Sequence, residues 1–273
     1  MRLPSARHFI LFQYSTMKIS LLQLDLKWAD PKANIDKASA LIATAPGADV
    51  YLLPEMFATG FIMTPETHAE PAADSPTLRW MQATAAAHDA AVGGSIAISE
   101  NGKYYNRFFF VLPDGSTYWY DKRHLFAYGG EDRSYTAGTK RTIVNFRGFR
   151  FLLQTCYDLR FPIWSRNNGN PYDVAIYVAN WPSSRSAVWR ALLRARAIEN
   201  QCYAVGINRT GSDPTCQYEG LSSVTDARGN TLIEADRNEG DSVLSVCLDK
   251  ESLQRFRKKF PVLADADNIS PIP

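Results

Sequence analysis

The 273-residue sequence carries 30 basic against 28 acidic side chains, a formal charge of +2, and is 45% hydrophobic. That near balance leaves no global field to gather nucleic acid or an acidic membrane surface, and no stretch approaches the roughly 18 apolar residues of a spanning helix. Four cysteines with no C-x-x-C pair and no zinc-like spacing to the four histidines exclude a disulfide framework and a zinc site, so the expectation is a soluble chain in a reducing, cytoplasmic compartment, acting on a small molecule.

Residues 1–16, "MRLPSARHFILFQYST", combine Arg2 and Arg7 with two serines and no acid, yet lack the length and cleavage pattern of a transit peptide. They are read as a flexible extension, and residues 17–273 as one folded domain. A strand is expected over "KISLLQLDL". A helix follows over "DPKANIDKASALIATA", with Asp30 as N-cap, Pro31 at the first position and Ile35, Ala38, Leu41 and Ile42 on one face, and then a strand over "ADVYLLPEMF". A second helix, "SPTLRWMQATAAAHDA", is capped by Ser75 and aligns Leu78, Met81, Ala85 and a partly buried His88, ahead of the strand "AVGGSIAIS".

Asn101-Gly102 and Asp114-Gly115 then mark hairpin turns in an antiparallel meander, and Arg147-Gly148 joins "RTIVNF" to "FRFLLQTC". The strand "DVAIYVAN" precedes a helix, "SAVWRALLRARAIENQ", with Val188, Leu192, Ala195 and Ile198 inward. Its arginines Arg190, Arg194 and Arg196, with Glu199 nearby and no interleaved aromatics, read as a solvated or interface face, not a nucleic-acid surface. Strand "YAVGIN", loop "RTGSDPTCQYEG", hairpin "LSSVTDARGNTLIEA", strand "DSVLSVCLD" and a basic helix over Asp249–Lys259 complete the chain. Mixed strands with one-faced helices imply an α/β fold of two sheets packed together under outer helices.

Three reactive side chains share one setting: Glu55 ends "VYLLPE", Lys122 ends "TYWYDK" and Cys156 ends "FLLQTC". Strand ends gather functional groups in α/β architectures, so the three are candidates to converge. Together they would permit amide or nitrile hydrolysis through a thioester. Cys156 would attack, Glu55 would take its proton and return it to the leaving amine, and Lys122 with the backbone N–H of Tyr157 would stabilise the oxyanion, the ammonium also favouring the thiolate. Singly, each has a plainer reading: a packed cysteine, a Pro-Glu turn, a solvated lysine. His124 is a rival partner for the thiol or a brace for its loop, and Asp158 and Arg160 read as a local ion pair fixing the turn that carries Cys156, with Pro162 stopping the strand. Cys202, Cys216 and Cys247 match no catalytic pattern.

With their flanks, "LLPEMFATGF", "YDKRHLF" and "TCYDLRFP" resemble the glutamate, lysine and cysteine motifs of the carbon-nitrogen hydrolases of the nitrilase superfamily, and the similarity runs from Met17 nearly to the C-terminus. The resemblance implies a four-layer α-β-β-α sandwich with two mixed sheets, commonly paired into dimers or larger homo-oligomers, and chemistry that needs no metal or organic cofactor. It also implies a second glutamate, matched by Glu131 in "YGGEDRSY", holding Lys122 and the substrate amide in position. "CYDLRFP" with "WSRN" and the "NRTGSD…YEGLS" loop looks most like the omega-amidase branch, which cleaves the terminal amide of 2-oxoglutaramate or 2-oxosuccinamate. An anionic substrate end calls for a further cation, for which Arg185 is the candidate, with Phe61, Tyr128 and Trp181 as walls; a surface arginine and core aromatics are the alternatives. Nitrilases and N-carbamoyl amidohydrolases share the same three residues, and a binding module on this scaffold is the reading from another class.

Overall fold

The computed structural model describes residues 15–267; the expected extension falls almost wholly outside them. Strand β1 (Thr16–Gln23) leads into helix α1 (Pro31–Thr44), β2 (Val50–Leu52), the single-turn α2 (Pro65–His68), the two-residue β3 (Glu70–Pro71) and α3 (Pro76–His88). The meander β4 (Ala91–Glu100), β5 (Lys103–Val111) and β6 (Thr117–Asp121) follows, then the short α4 (Glu131–Ser134) and the pair β7 (Ile143–Phe146) and β8 (Phe149–Thr155). Next come β9 (Val174–Ala179), α5 (Ser186–Glu199), β10 (Tyr203–Asn208), and the hairpins β11 (Thr210–Ser212) with β12 (Gln217–Glu219) and β13 (Ser223–Thr225) with β14 (Thr231–Glu234). β15 (Ser242–Asp249) and α6 (Lys250–Lys259) close the described chain.

The caps and turns sit where local chemistry put them. Asp30 accepts from the Ala33 N–H and Ser75 from the Leu78 N–H, each followed by a proline in the first turn. Asn101 and Gly102 (φ 51° and 73°) make the β4–β5 turn and Arg147 and Gly148 (φ 43° and 76°) the β7–β8 turn, the left-handed pairs that match strand twist in tight hairpins.

One sheet runs β15-β1-β2-β4-β5-β6, with β3 beside β4; the other runs β14-β13-β10-β9-β8-β7. Each is mixed: β1, β2 and β4 are parallel in the first and β8, β9 and β10 in the second, flanked by antiparallel edges. Period-two alternation then builds four layers. Val50, Leu52, Phe108 and Phe110 meet Phe149, Phe151, Val174, Ile176 and Val205 between the sheets. The alternate residues Tyr51, Leu53 and Phe109 turn outward onto Ala38 and Ile42 of α1 and Met81 and Ala85 of α3. On the other side Leu152, Ala175, Tyr177 and Ala204 meet Trp189, Leu193 and Ala197 of α5. Truncating one of the central rings, such as Phe110 stacked on Phe151, costs about 3–5 kcal/mol.

Four local expectations are corrected. His88 is exposed, its ring edge-on to Tyr51. The buried face of α5 is Trp189, Leu193 and Ala197, one residue on from the expected register, and Ile198 points outward, 47% exposed. Arg196 is buried on that face, donating to the Leu159 carbonyl and to Glu199, so only Arg190 and Arg194 form a solvated basic face. Residues 210–219, expected as loop, form the β11–β12 hairpin.

Candidate active site

Glu55 lies just beyond β2, Lys122 directly after β6, and Cys156 directly after β8. The two sheets carry these ends to one place. Lys122 Nζ donates to Glu55 Oε1 and to Glu131 Oε2, both at 2.8 Å, with all three side chains fully buried. The Phe126 N–H donates to Glu131 Oε2 at 2.7 Å, fixing α4 against the lysine loop. Gly138 packs over the Asp121 carbonyl where a Cβ would lie 2.1 Å away, and its N–H donates to the Lys122 carbonyl. No side chain larger than hydrogen fits there, so the segment after α4 clamps the lysine strand end.

Cys156 opens a short 3₁₀ turn, Cys156–Arg160, with φ +43°, in the left-handed region that costs a non-glycine residue about 1–3 kcal/mol. Asp158 over-determines this turn. Its Oδ2 accepts from the Thr155 N–H and the Tyr120 hydroxyl, and its Oδ1 from the N–H and Nδ1 of His124. The expected Asp158–Arg160 pair is therefore replaced: Asp158 bonds across to β6 and the lysine loop, and the Arg160 guanidinium lies over the Trp181 ring, 5.2 Å from its centroid. β8 itself ends at Thr155, seven residues before Pro162. His124 braces the loop, bonded to Asp158 and stacked on Phe161.

Two buried asparagines that sequence reasoning missed complete the cluster. Asn180, just after β9, donates its N–H to Glu55 Oε2 at 2.9 Å and its side-chain amide to the Glu55 carbonyl at 2.7 Å, while its own carbonyl lies 3.9 Å from Cys156 Sγ. Asn106, in the middle of β5, donates to Glu55 Oε1 and Glu131 Oε1. Their one sequence signal is a polar amide where an apolar strand or strand end is expected.

Electrostatically the site holds two carboxylates, one ammonium and one thiol. Burial alone would lower the proton affinity of Lys122, but the charges of Glu131 and Glu55 override it and keep the ammonium firmly protonated. Burial pushes Glu131 upward, with Lys122 opposing and the Glu55 charge adding to the rise. The Cys156 thiol is pushed well up, by burial first and by Glu55 next, against the pull of Lys122. The Lys122 ammonium thus acts in the expected direction, favouring the thiolate, but burial and Glu55 work against it. The Glu55 carboxylate stands beside the thiol and interacts with it directly.

Cys156 and Lys122 open into a cavity of about 380 Å³, the size class of small-molecule sites. Phe61, Trp181 and Tyr157 line it with Met63, Phe126 and Trp28, and Tyr128 stands at its mouth, 91% exposed. Arg185 and Arg160 both line it, Arg185 over the Phe126 ring, and neither has a carboxylate partner among the described residues. All four expected substrate-binding side chains thus border one cavity. The β11–β12 hairpin adds Thr215, Cys216 and Tyr218 to the wall. Cys202 is buried and Cys247 exposed. Among the described residues no group of three or more His, Cys, Asp or Glu side chains is placed to hold a metal ion, and no helix is long and apolar enough to cross a membrane.

The carbon-nitrogen hydrolase family model matches residues 18–258. The chain belongs to the carbon-nitrogen hydrolase family. This hydrolase is 45% identical to the omega-amidase YafV of Escherichia coli K12, over 93% of the present chain and 98% of the relative. It is 33% identical to the 2-oxoglutaramate amidase of Bacillus subtilis, over 90% and 96%. A solved carbon-nitrogen hydrolase superfamily protein of Xanthomonas campestris, with an arsenic adduct in its active site, superposes with a TM-score of 0.90 at 37% identity, covering 94% of this hydrolase and 99% of that chain.

Proposed function

We propose that this hydrolase is an omega-amidase, releasing ammonia from the terminal amide of 2-oxo-dicarboxylate monoamides such as 2-oxoglutaramate and 2-oxosuccinamate. The observation that carries the reading is the buried Glu55–Lys122–Glu131 cluster beside Cys156, opening into a largely apolar cavity with two arginines that have no carboxylate partner among the described residues. The names of its relatives support the same branch.

Cys156 Sγ attacks the amide carbon as Glu55 takes the thiol proton. Lys122, whose carboxylate partners occupy two of its three N–H donors, and the Tyr157 N–H donate to the oxyanion. The C–N bond breaks as Glu55 returns the proton to nitrogen, releasing ammonia and leaving a thioester on Cys156. Water then attacks the thioester, Glu55 accepts its proton, the C–S bond breaks and the thiol is reprotonated. Glu131 holds Lys122 and the amide in place throughout. Arg185 and Arg160 receive the distal carboxylate, and Phe61, Trp181 and Tyr128 bound the carbon chain. Proton transfer by a placed group is worth about 10²–10⁴-fold and the oxyanion donors a similar factor. The enzyme is read as cytoplasmic and as a homodimer or larger assembly, which light scattering would check.

The deciding experiment compares ammonia release from 2-oxoglutaramate, aliphatic nitriles and N-carbamoyl amino acids. Preferential turnover of 2-oxoglutaramate is expected, with Arg185→Ala raising its KM by about 10–100-fold, as expected for a lost charge-assisted hydrogen bond. Turnover of nitriles alone would overturn the assignment.

A further inference from the structure

We propose that Asn106 is a positioning residue of the hydrolytic site, holding Glu55 and Glu131 at a fixed separation with both carboxylates turned to one lysine. The proposal rests on the reading of that cluster as the active site. Asn106 Nδ2 donates to Glu55 Oε1 at 2.7 Å and to Glu131 Oε1 at 2.9 Å, using both of its N–H bonds, and the Asn106 carbonyl accepts from the Lys122 N–H at 3.0 Å. One buried residue thus touches three members of the cluster. Its orientation is fixed by chemistry: exchanging the amide's nitrogen and oxygen would aim Oδ1 at two carboxylate oxygens. As placed, that Oδ1 is buried with no hydrogen-bond partner among the described residues.

For stability alone Asn106 is a poor choice. Asparagine is disfavoured in strands, and this one sits in a buried stretch of β5 beside Phe108, its oxygen without a partner among the described residues. Departures of that kind from local rules concentrate at functional sites. Here the function is electrostatic. Two carboxylates share one ammonium in a buried site, with Cys156 approaching from the second sheet and Tyr135 from beyond α4. Burial raises the proton affinity of Glu131, and the Asn106 hydrogen bond works against that rise. Without it, Glu131 takes a proton at higher pH, its grip on Lys122 slackens, and Glu55 keeps only Lys122 of the two donors on its Oε1 edge.

The test is a pH profile of ammonia release from 2-oxoglutaramate by wild type, Asn106→Leu and Asn106→Asp, with Glu55→Gln alongside. Asn106→Leu keeps the branched shape, with bulkier methyl ends, and removes both donors. Its kcat should fall by about 10–100-fold, the usual effect of losing a supporting partner, with KM little changed and the acid limb of kcat/KM moved to higher pH. In Asn106→Asp the new carboxyl can donate only when protonated, so its rate relative to Asn106→Leu should rise as pH falls. Wild-type kcat in Asn106→Leu, or a lowered Tm with an unmoved acid limb, would overturn the proposal. Should Asn106→Leu fail to fold, Asn106→Ser, which can donate to only one carboxylate, is held to the same two readouts. If Glu55→Gln keeps wild-type activity, the active-site reading itself fails. If Glu55→Gln is inactive while Asn106→Leu behaves as wild type, only the role of Asn106 does.

Discussion

Replacing Glu55 by glutamine tests the base and the surrounding hydrogen-bond logic at once. Oε1 accepts from Lys122 Nζ at 2.8 Å and Asn106 Nδ2 at 2.7 Å, and Oε2 from the Asn180 N–H at 2.9 Å and, more weakly, Asn180 Nδ2 at 3.4 Å. Every partner is a donor, so a glutamine NH₂ faces a donor whichever way it is turned. Loss of the base should lower kcat/KM by about 10²–10⁴-fold, or about 2.7–5.5 kcal/mol on the barrier. Breaking a buried ion pair costs about 3–5 kcal/mol; because Glu131 still holds Lys122, the lower end applies, lowering Tm by about 6–12 °C. Ammonia release should be followed well below the variant's own Tm, with mass spectrometry to detect acylated Cys156. Activity within about threefold of wild type would refute Glu55 as base, and an unchanged Tm would refute the account of a carboxylate ringed by donors.

Lys122→Met should abolish turnover and destabilise the fold most at high pH, because Glu55 and Glu131 lose the cation they face. The folded-state proton affinity of Glu131 is already raised, so stability falls as pH rises through its folded titration; removing Lys122 steepens that fall, and acid should relieve it, as paired melting curves would show. A wild-type minus Cys156→Ala difference spectrum should lack thiolate absorbance at neutral pH and acquire it only above the ordinary thiol range, since Cys156 is pushed up; a thiolate signal at neutral pH would mean that Lys122 prevails over burial and Glu55. In Gly206→Ala the new Cβ would come within 2.5 Å of Leu193 and 2.6 Å of Trp189, so overpacking should cost about 1–3 kcal/mol in a denaturant titration, with kcat retained in the folded fraction.

What the sequence disclosed follows from what is local. The hairpin turns at Asn101-Gly102 and Arg147-Gly148 and the caps Asp30 and Ser75 depend on neighbours within four residues, and all four stand as expected. The strand-end setting of Glu55, Lys122 and Cys156 was legible because apolar alternation stops just before each. Partners far along the chain were not. Arg196 is inward because the Leu159 carbonyl, 37 residues away, receives it, and Asp158 is engaged by Tyr120 and His124, 38 and 34 residues away, while Arg160 lies over Trp181. The net push on the thiol was not legible for the same reason: it depends on how deeply two sheets bury it, which no spacing conveys.

The reactive groups are divided between the two sheets: Glu55, Asn106 and Lys122 come from one, Cys156 and Asn180 from the other. The rings of Phe108, Phe110, Phe149 and Phe151 are thus the ruler that sets how far the Cys156 sulfur stands from Glu55. Sliding one layer by an ångström would forfeit about a hundredfold in rate while leaving each half internally intact. Neither half could work alone, and a drug or mutation that wedges the layers apart would silence the enzyme without touching any atom that reacts.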